Sequence, residues 1–169
     1  MNGVAMDESP AGTRSSEVLV IGFGNVMRGD DGVGPAVAEG VERLGLPGVR
    51  VEVCHQLTPE WACRVSEAAG VVFVDAGEAI LSADGGVRVR ELDGSATSMG
   101  WSGHRFTPEV LLALVAELGW SRPRAWSVVV PVESFGWGLG LTPEAKKGVE
   151  AAVGAIRGLW EGAVCTRRA

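Results

Sequence analysis

Cysteine is scarce in this chain: Cys54, Cys63 and Cys165 are the only three in 169 residues. An odd number with no C-x-x-C spacing excludes a disulfide framework and a zinc knuckle, so the thiols read as reduced. Long apolar runs are missing too, and none approaches the roughly 20 residues of a membrane span. There is no basic run, and the formal net charge is −6. A nucleic-acid binder needs a Lys/Arg patch to displace counterions, and anionic membranes repel an acidic surface, so neither nucleic acid nor membrane is an expected partner. The first sixteen residues are small and polar without an apolar h-region, which excludes a signal peptide. We read residues 1–16 as a disordered leader, 17–162 as a single α/β domain and 163–169 as a flexible C-terminal tail. A cytoplasmic location is expected.

Apolar residues make up 46% of the chain and charged residues 21%, enough for one domain with a sheet buried on both faces. Three short runs, Val18–Ile21, Val71–Val74 and Ala125–Val130, are rich in β-branched residues, as buried parallel strands are. Val49–Val53 and Val87–Arg90 alternate instead, which gives one wet face and a place near the sheet edges. Thr58-Pro59-Glu60, Thr107-Pro108-Glu109 and Thr142-Pro143-Glu144 repeat one helix-start signal. Threonine can cap free amides, proline suits the first helical position, and glutamate favours the positive end of the dipole. A further helix opens near Gly34-Pro35 and runs through Val37, Val41 and Leu44, and the helix from Thr107 stops at Gly119. Strands alternating with helices predict a three-layer α/β/α sandwich around a mostly parallel, five-stranded twisted sheet. Sites in such sheets gather at the carboxyl ends of the strands.

The turn after the first strand, Gly22-Phe23-Gly24-Asn25-Val26-Met27-Arg28-Gly29-Asp30-Asp31-Gly32-Val33-Gly34, invites comparison with a dinucleotide loop. That fingerprint requires a third glycine where Met27 stands, and an acid after the second strand, where the chain has Cys54-His55-Gln56. No Gly-Lys-Ser/Thr follows, and Asp30 and Asp31 would repel a pyrophosphate. Two readings of the paired acids remain open: a cap on the next helix, worth roughly 1 kcal/mol, or ligands of a site. Asp75 directly follows an apolar run, where a carboxylate is costly to bury without a cation or several donors. The loop Gly94–His104 is almost all small, polar or glycine, and a loop of that composition carrying one of only two histidines is a candidate functional element. If three strand-end loops share one sheet edge, Asp31, Asp75 and His104 converge. Two carboxylates and an imidazole suit a borderline divalent ion.

These residues resemble the maturation endopeptidases of nickel–iron hydrogenases, over about Val18 to Trp160. The resemblance rests on Gly22-x-Gly24-Asn25-x-x-x-x-Asp30-Asp31-x-x-Gly34, on Val74-Asp75-Ala76, on His104 shortly before a helix, and on Pro131-x-Glu133-Ser134 followed by Gly140-Leu141-Thr142-Pro143. It implies that Asp31, Asp75 and His104 stand at the family's three metal-ligand positions, with Asp31 where several members carry glutamate. It also implies an activity: removal of a C-terminal extension from the hydrogenase large-subunit precursor once nickel has been inserted. Nickel would then arrive with the substrate. The chain has no His-Glu-x-x-His helix and no Gly-x-Ser-x-Gly elbow, and a metal-polarised carbonyl or a metal-bound water are the available routes. Asn25 and Asp30 are expected to shape the turn or orient the ligands. His55-Gln56-Leu57-Thr58-Pro59-Glu60 replaces the family's commoner Asp-Gly-Gly-Thr and is similar to the subgroup serving NAD(P)-linked bidirectional hydrogenases. The same ligands would also serve a nickel-binding carrier or sensor without peptidase activity, or a hydrolase with a resident zinc.

Overall fold

The computed structural model describes residues 15–78, 86–93, 106–133 and 135–167, without the side chains of 163–167. Leader residues 1–14, the loop Gly94–His104, Ser134 and the Cys165 side chain lie outside the described residues. Each apolar run forms a strand. In chain order the elements are β1 (Val18–Phe23), a 3-10 turn (Gly29–Gly32), α1 (Val33–Leu44), β2 (Val49–Cys54), α2 (Trp61–Glu67), β3 (Gly70–Glu78), β4 (Arg88–Leu92), α3 (Pro108–Glu117), β5 (Arg124–Val132) and α4 (Pro143–Arg167).

The sheet runs β2-β1-β3-β5-β4, with β4 antiparallel to β5 and every other pair parallel. The two alternating runs became the two edge strands, as one-faced amphipathicity demands. Successive strand residues face opposite layers. Leu19, Ile21, Val71 and Phe73 pack with Val65 of α2 and Leu111 and Val115 of α3. Val20, Val72, Val74, Val128 and Val130 face Val37 and Val41 of α1 and Ala152 and Ile156 of α4. Phe73 and Leu111 are almost fully buried, and each such side chain contributes about 2–3 kcal/mol of transfer free energy. The expected α/β/α sandwich is the fold.

The helix-start signals act differently from one another. Thr107 Oγ1 accepts from the Val110 amide at 3.3 Å, and Thr142 Oγ1 accepts from the Ala145 amide at 3.2 Å, so both are side-chain caps. Thr58 is not: α2 begins three residues later, with no side-chain cap bond at Glu60. The Thr58 hydroxyl donates to the Glu60 carboxylate instead and lowers its pKa. A side-chain partner close at hand has diverted the hydroxyl from the helix amides.

Strand order reverses between β1 and β3: the chain leaves β1 toward β2 and returns on the far side as β3. A crevice opens at such a switch point, beyond the carboxyl ends of the two strands. Gly34, in the first turn of α1, closes its floor. A Cβ there would run into the carbonyl oxygens of both Phe23 and Val74, so only glycine lets the helix rest across the two strand ends. Gly34→Ala should cost about 3 kcal/mol, because backbone cannot rotate away as a side chain can, and should lower Tm by roughly 6–12 °C. Gly154→Ala in α4, where a Cβ meets nothing within 4 Å, should raise stability by up to about 1 kcal/mol. Thermal melts of the pair that coincide would contradict this account.

Candidate active site at the switch point

The turn leaving β1 folds back on itself through its own polar groups. Gly24 (φ 147°) lies so close to the Asp31 carbonyl that a Cβ would overlap it, which explains a glycine there without any phosphate. Asn25 Oδ1 accepts from the Met27 amide at 2.9 Å, and the Asn25 amide donates to Asp31 Oδ2 at 2.9 Å. Asn25 therefore shapes the turn and fixes one oxygen of Asp31.

Neither aspartate caps α1. The cap position is Gly32, and it carries no side-chain cap bond. Asp30 reaches across the fold: its Oδ1 accepts from the Thr142 amide at 2.8 Å and its Oδ2 from the Thr142 hydroxyl at 2.9 Å. A buried carboxylate is thereby joined to the residue that caps α4, where the helix dipole also favours negative charge. The same long-range contact is reinforced by the backbone. Gly29 N–H donates to the Gly138 carbonyl at 2.8 Å, and Gly138 N–H to the Met27 carbonyl at 3.1 Å. Arg28 Nη2 donates to the Phe135 carbonyl at 3.2 Å, while its buried Nε has no partner among the described residues.

Asp31 is 3% exposed. Only Oδ2 is engaged, and Oδ1 has no hydrogen bond among the described residues. The 3-10 turn that carries Asp31 packs against β3, the strand of Asp75. Asp75 is half-buried, and its Oδ1 accepts from the Ala76 amide at 2.8 Å. Asp75 does not end its strand, as the apolar run alone suggested. β3 continues to Glu78 against β5, but its pairing with β1 stops at Val74. Asp75 is thus the first residue on the side where the sheet opens toward the turn. Asp31 lies on a turn that packs against the strand of Asp75; His104 lies outside the described residues. Among the described residues no three His, Cys, Asp or Glu side chains form a metal-binding group.

Neither thiol among the described residues is primed as a nucleophile. Cys54 ends β2 opposite Phe23, near the crevice, but burial and then the nearby Glu52 push its thiol up to about 11. Burial also raises Cys63, with Glu67 adding to it. A thiol so raised is protonated at neutral pH and is a poor nucleophile.

The Asp30–Thr142 link joins two segments 112 residues apart, and no local sequence pattern announces it. The one available signal was that both residues fall in quoted motifs, Asp30-Asp31 and Gly140-Leu141-Thr142-Pro143.

No protein-family model matches the sequence, and no curated protein matches it either. Solved structures do. The hydrogenase maturating endopeptidase HybD from E. coli superposes with a TM-score of 0.67 at 18% identity, over 87% of this chain and 93% of its own. The nickel–iron hydrogenase maturation protease HycI from Thermococcus kodakarensis gives 0.67 at 20% identity, over 90% and 96%. A hydrogenase 2 maturation peptidase from a Thaumarchaeota archaeon gives 0.63 at 23% identity, over 83% and 96%. This chain has the hydrogenase maturation endopeptidase fold. The motif resemblance and the architecture thus lead to the same proteins.

Two outcomes follow from the site's geometry. Asp30→Ala leaves the Thr142 amide without its acceptor and should destabilise the protein by about 1–3 kcal/mol, read as a lower denaturation midpoint. Cys54 should resist iodoacetamide at pH 7.5, where roughly a thousandth or less of it is thiolate, and label readily only above about pH 10. Peptide-level mass spectrometry measures this, and fast labelling at pH 7.5 would contradict it.

Proposed function

We propose that the chain is an endopeptidase that removes the C-terminal extension of a nickel–iron hydrogenase large-subunit precursor after recognising its inserted nickel. The observation that carries this reading is Asp31: a carboxylate 3% exposed, held by one oxygen, with the other unbonded among the described residues and Asp75 on the adjoining strand. A carboxylate in so enclosed a place, with one oxygen left open, suits a cation. The solved structures with this fold are named as hydrogenase maturation peptidases, which supports peptide hydrolysis as the reaction.

On this reading Asp31, Asp75 and His104 bind the precursor's nickel, so that the metal comes with the substrate. Carboxylate and imidazole are donors suited to such an ion. Asn25, through its amide bond to Asp31 Oδ2, orients one ligand. Asp30 keeps the turn in register with α4. His55 and Gln56 are exposed at the end of β2, beside the Gly24 amide that donates to the Cys54 carbonyl at 3.2 Å. They border the crevice and help select the large subunit, which fits a chain serving an NAD(P)-linked hydrogenase.

The test is processing of purified, nickel-loaded precursor followed by gel mobility. Wild-type protein should shorten the precursor. Asp75→Ala and His104→Ala should keep the native far-ultraviolet dichroism and abolish cleavage, a loss of at least about a hundredfold if a ligand that stabilises charge is removed. Precursor of unchanged length with wild-type protein would make the chain a nickel carrier or sensor. Wild-type rates in either variant would remove that residue from the site. A stoichiometric zinc in protein purified without added metal would favour a resident-metal hydrolase.

A further inference from the structure

The segment that pairs with the turn carries an apolar surface next to the crevice. Gly138 forms a parallel bridge with Arg28 and spends both its amide and its carbonyl on the turn. Trp137 and Leu139 flank it, and the amides and carbonyls of both residues have no partner among the described residues. Their side chains are 83% and 79% exposed, and those of Val26 and Met27 across the bridge are each 54% exposed. Scattered exposed apolar residues need no explanation, but four clustered on two bridged segments mark an interaction surface. Free main-chain donors and acceptors beside those side chains fit an extended peptide, which supplies both kinds of contact at once.

Charge narrows the occupant. The loop continues from Leu139 to Thr142, which binds Asp30, and there a cavity of about 490 Å³ opens. Its rim carries two exposed carboxylates, Glu133 and Glu144, with the buried Asp30 behind them, against one ammonium, Lys147. A basic side chain complements that rim, whereas an acidic one is repelled.

We infer that Met27, Trp137 and Leu139 dock an extended segment of the protein substrate, apolar over this surface and carrying a basic residue toward the Asp30–Glu133–Glu144 cavity. Naming the occupant as substrate rests on the peptidase reading; the surface itself can be tested apart from it. The probe is a fluorescein-labelled decapeptide of alternating valine and threonine with one lysine, titrated with the full chain and read by anisotropy.

Trp137→Ala with Leu139→Ala should weaken binding at least tenfold while thermal melts stay unchanged, since both side chains lie outside the core. N-methylating alternate peptide amides should weaken it similarly, and lysine-to-glutamate in the peptide several-fold. Absence of binding by the wild-type chain, or affinity indifferent to all three changes, overturns the inference. With nickel-loaded precursor the double variant should raise KM and leave kcat unaltered. Cleavage by the double variant with wild-type KM overturns the docking surface and leaves the peptidase reading intact. Peptide bound through this surface, together with a precursor that is never cut, removes the peptidase reading and keeps the surface.

Discussion

The first turn of α1 rests across the carbonyl ends of two neighbouring parallel strands, with Gly34 at the point of contact. Everything at this edge of the sheet depends on that approach. It draws the 3-10 turn that carries Asp31 against β3, the strand of Asp75. It also leaves no room for a side chain at Gly24, where the turn closes over the Asp31 carbonyl. The glycines that resemble a phosphate cradle are therefore spacers between main chains. Their work is packing.

Within this frame the two aspartates, adjacent in sequence, have separate physical roles. Asp30 uses both oxygens on Thr142 and is saturated. Asp31 uses one oxygen on the Asn25 amide and retains the other. A saturated carboxylate builds structure; a half-engaged one at 3% exposure leaves an acceptor open at the end of the turn. Asp75 stands on the neighbouring strand at the point where β1 stops pairing. The raised thiol of Cys54 close by is protonated at neutral pH and offers no thiolate there.

Much of this architecture was legible from residues alone, because the signals were local. β-branched runs predicted the central strands, alternation predicted that β2 and β4 lie at the edges, and Thr107 and Thr142 cap the helices they precede. Thr58 did not follow the same rule, since its hydroxyl found Glu60 first. Strand order was not legible, because pairing across the switch point is set by packing between distant segments. The Asp30–Thr142 bond was hidden for the same reason. Of the three candidate ligands, Asp31 lies on a turn packed against the strand of Asp75 and His104 lies outside the described residues, so the ligand set is a proposal.

The loop between β5 and α4 is tied to the opposite side of the crevice at two places, by main-chain bonds at Gly138 and by the Asp30 carboxylate at Thr142. Residues 138 and 142 are thus fastened before any partner arrives. Ordering a free loop on association costs conformational entropy that must come out of the interaction itself. Here that cost is met during folding, so Trp137 and Leu139 present their surface from a preorganised base. The tether has a second effect: through the two Asp30–Thr142 bonds, a pull on this loop reaches the direct neighbour of Asp31.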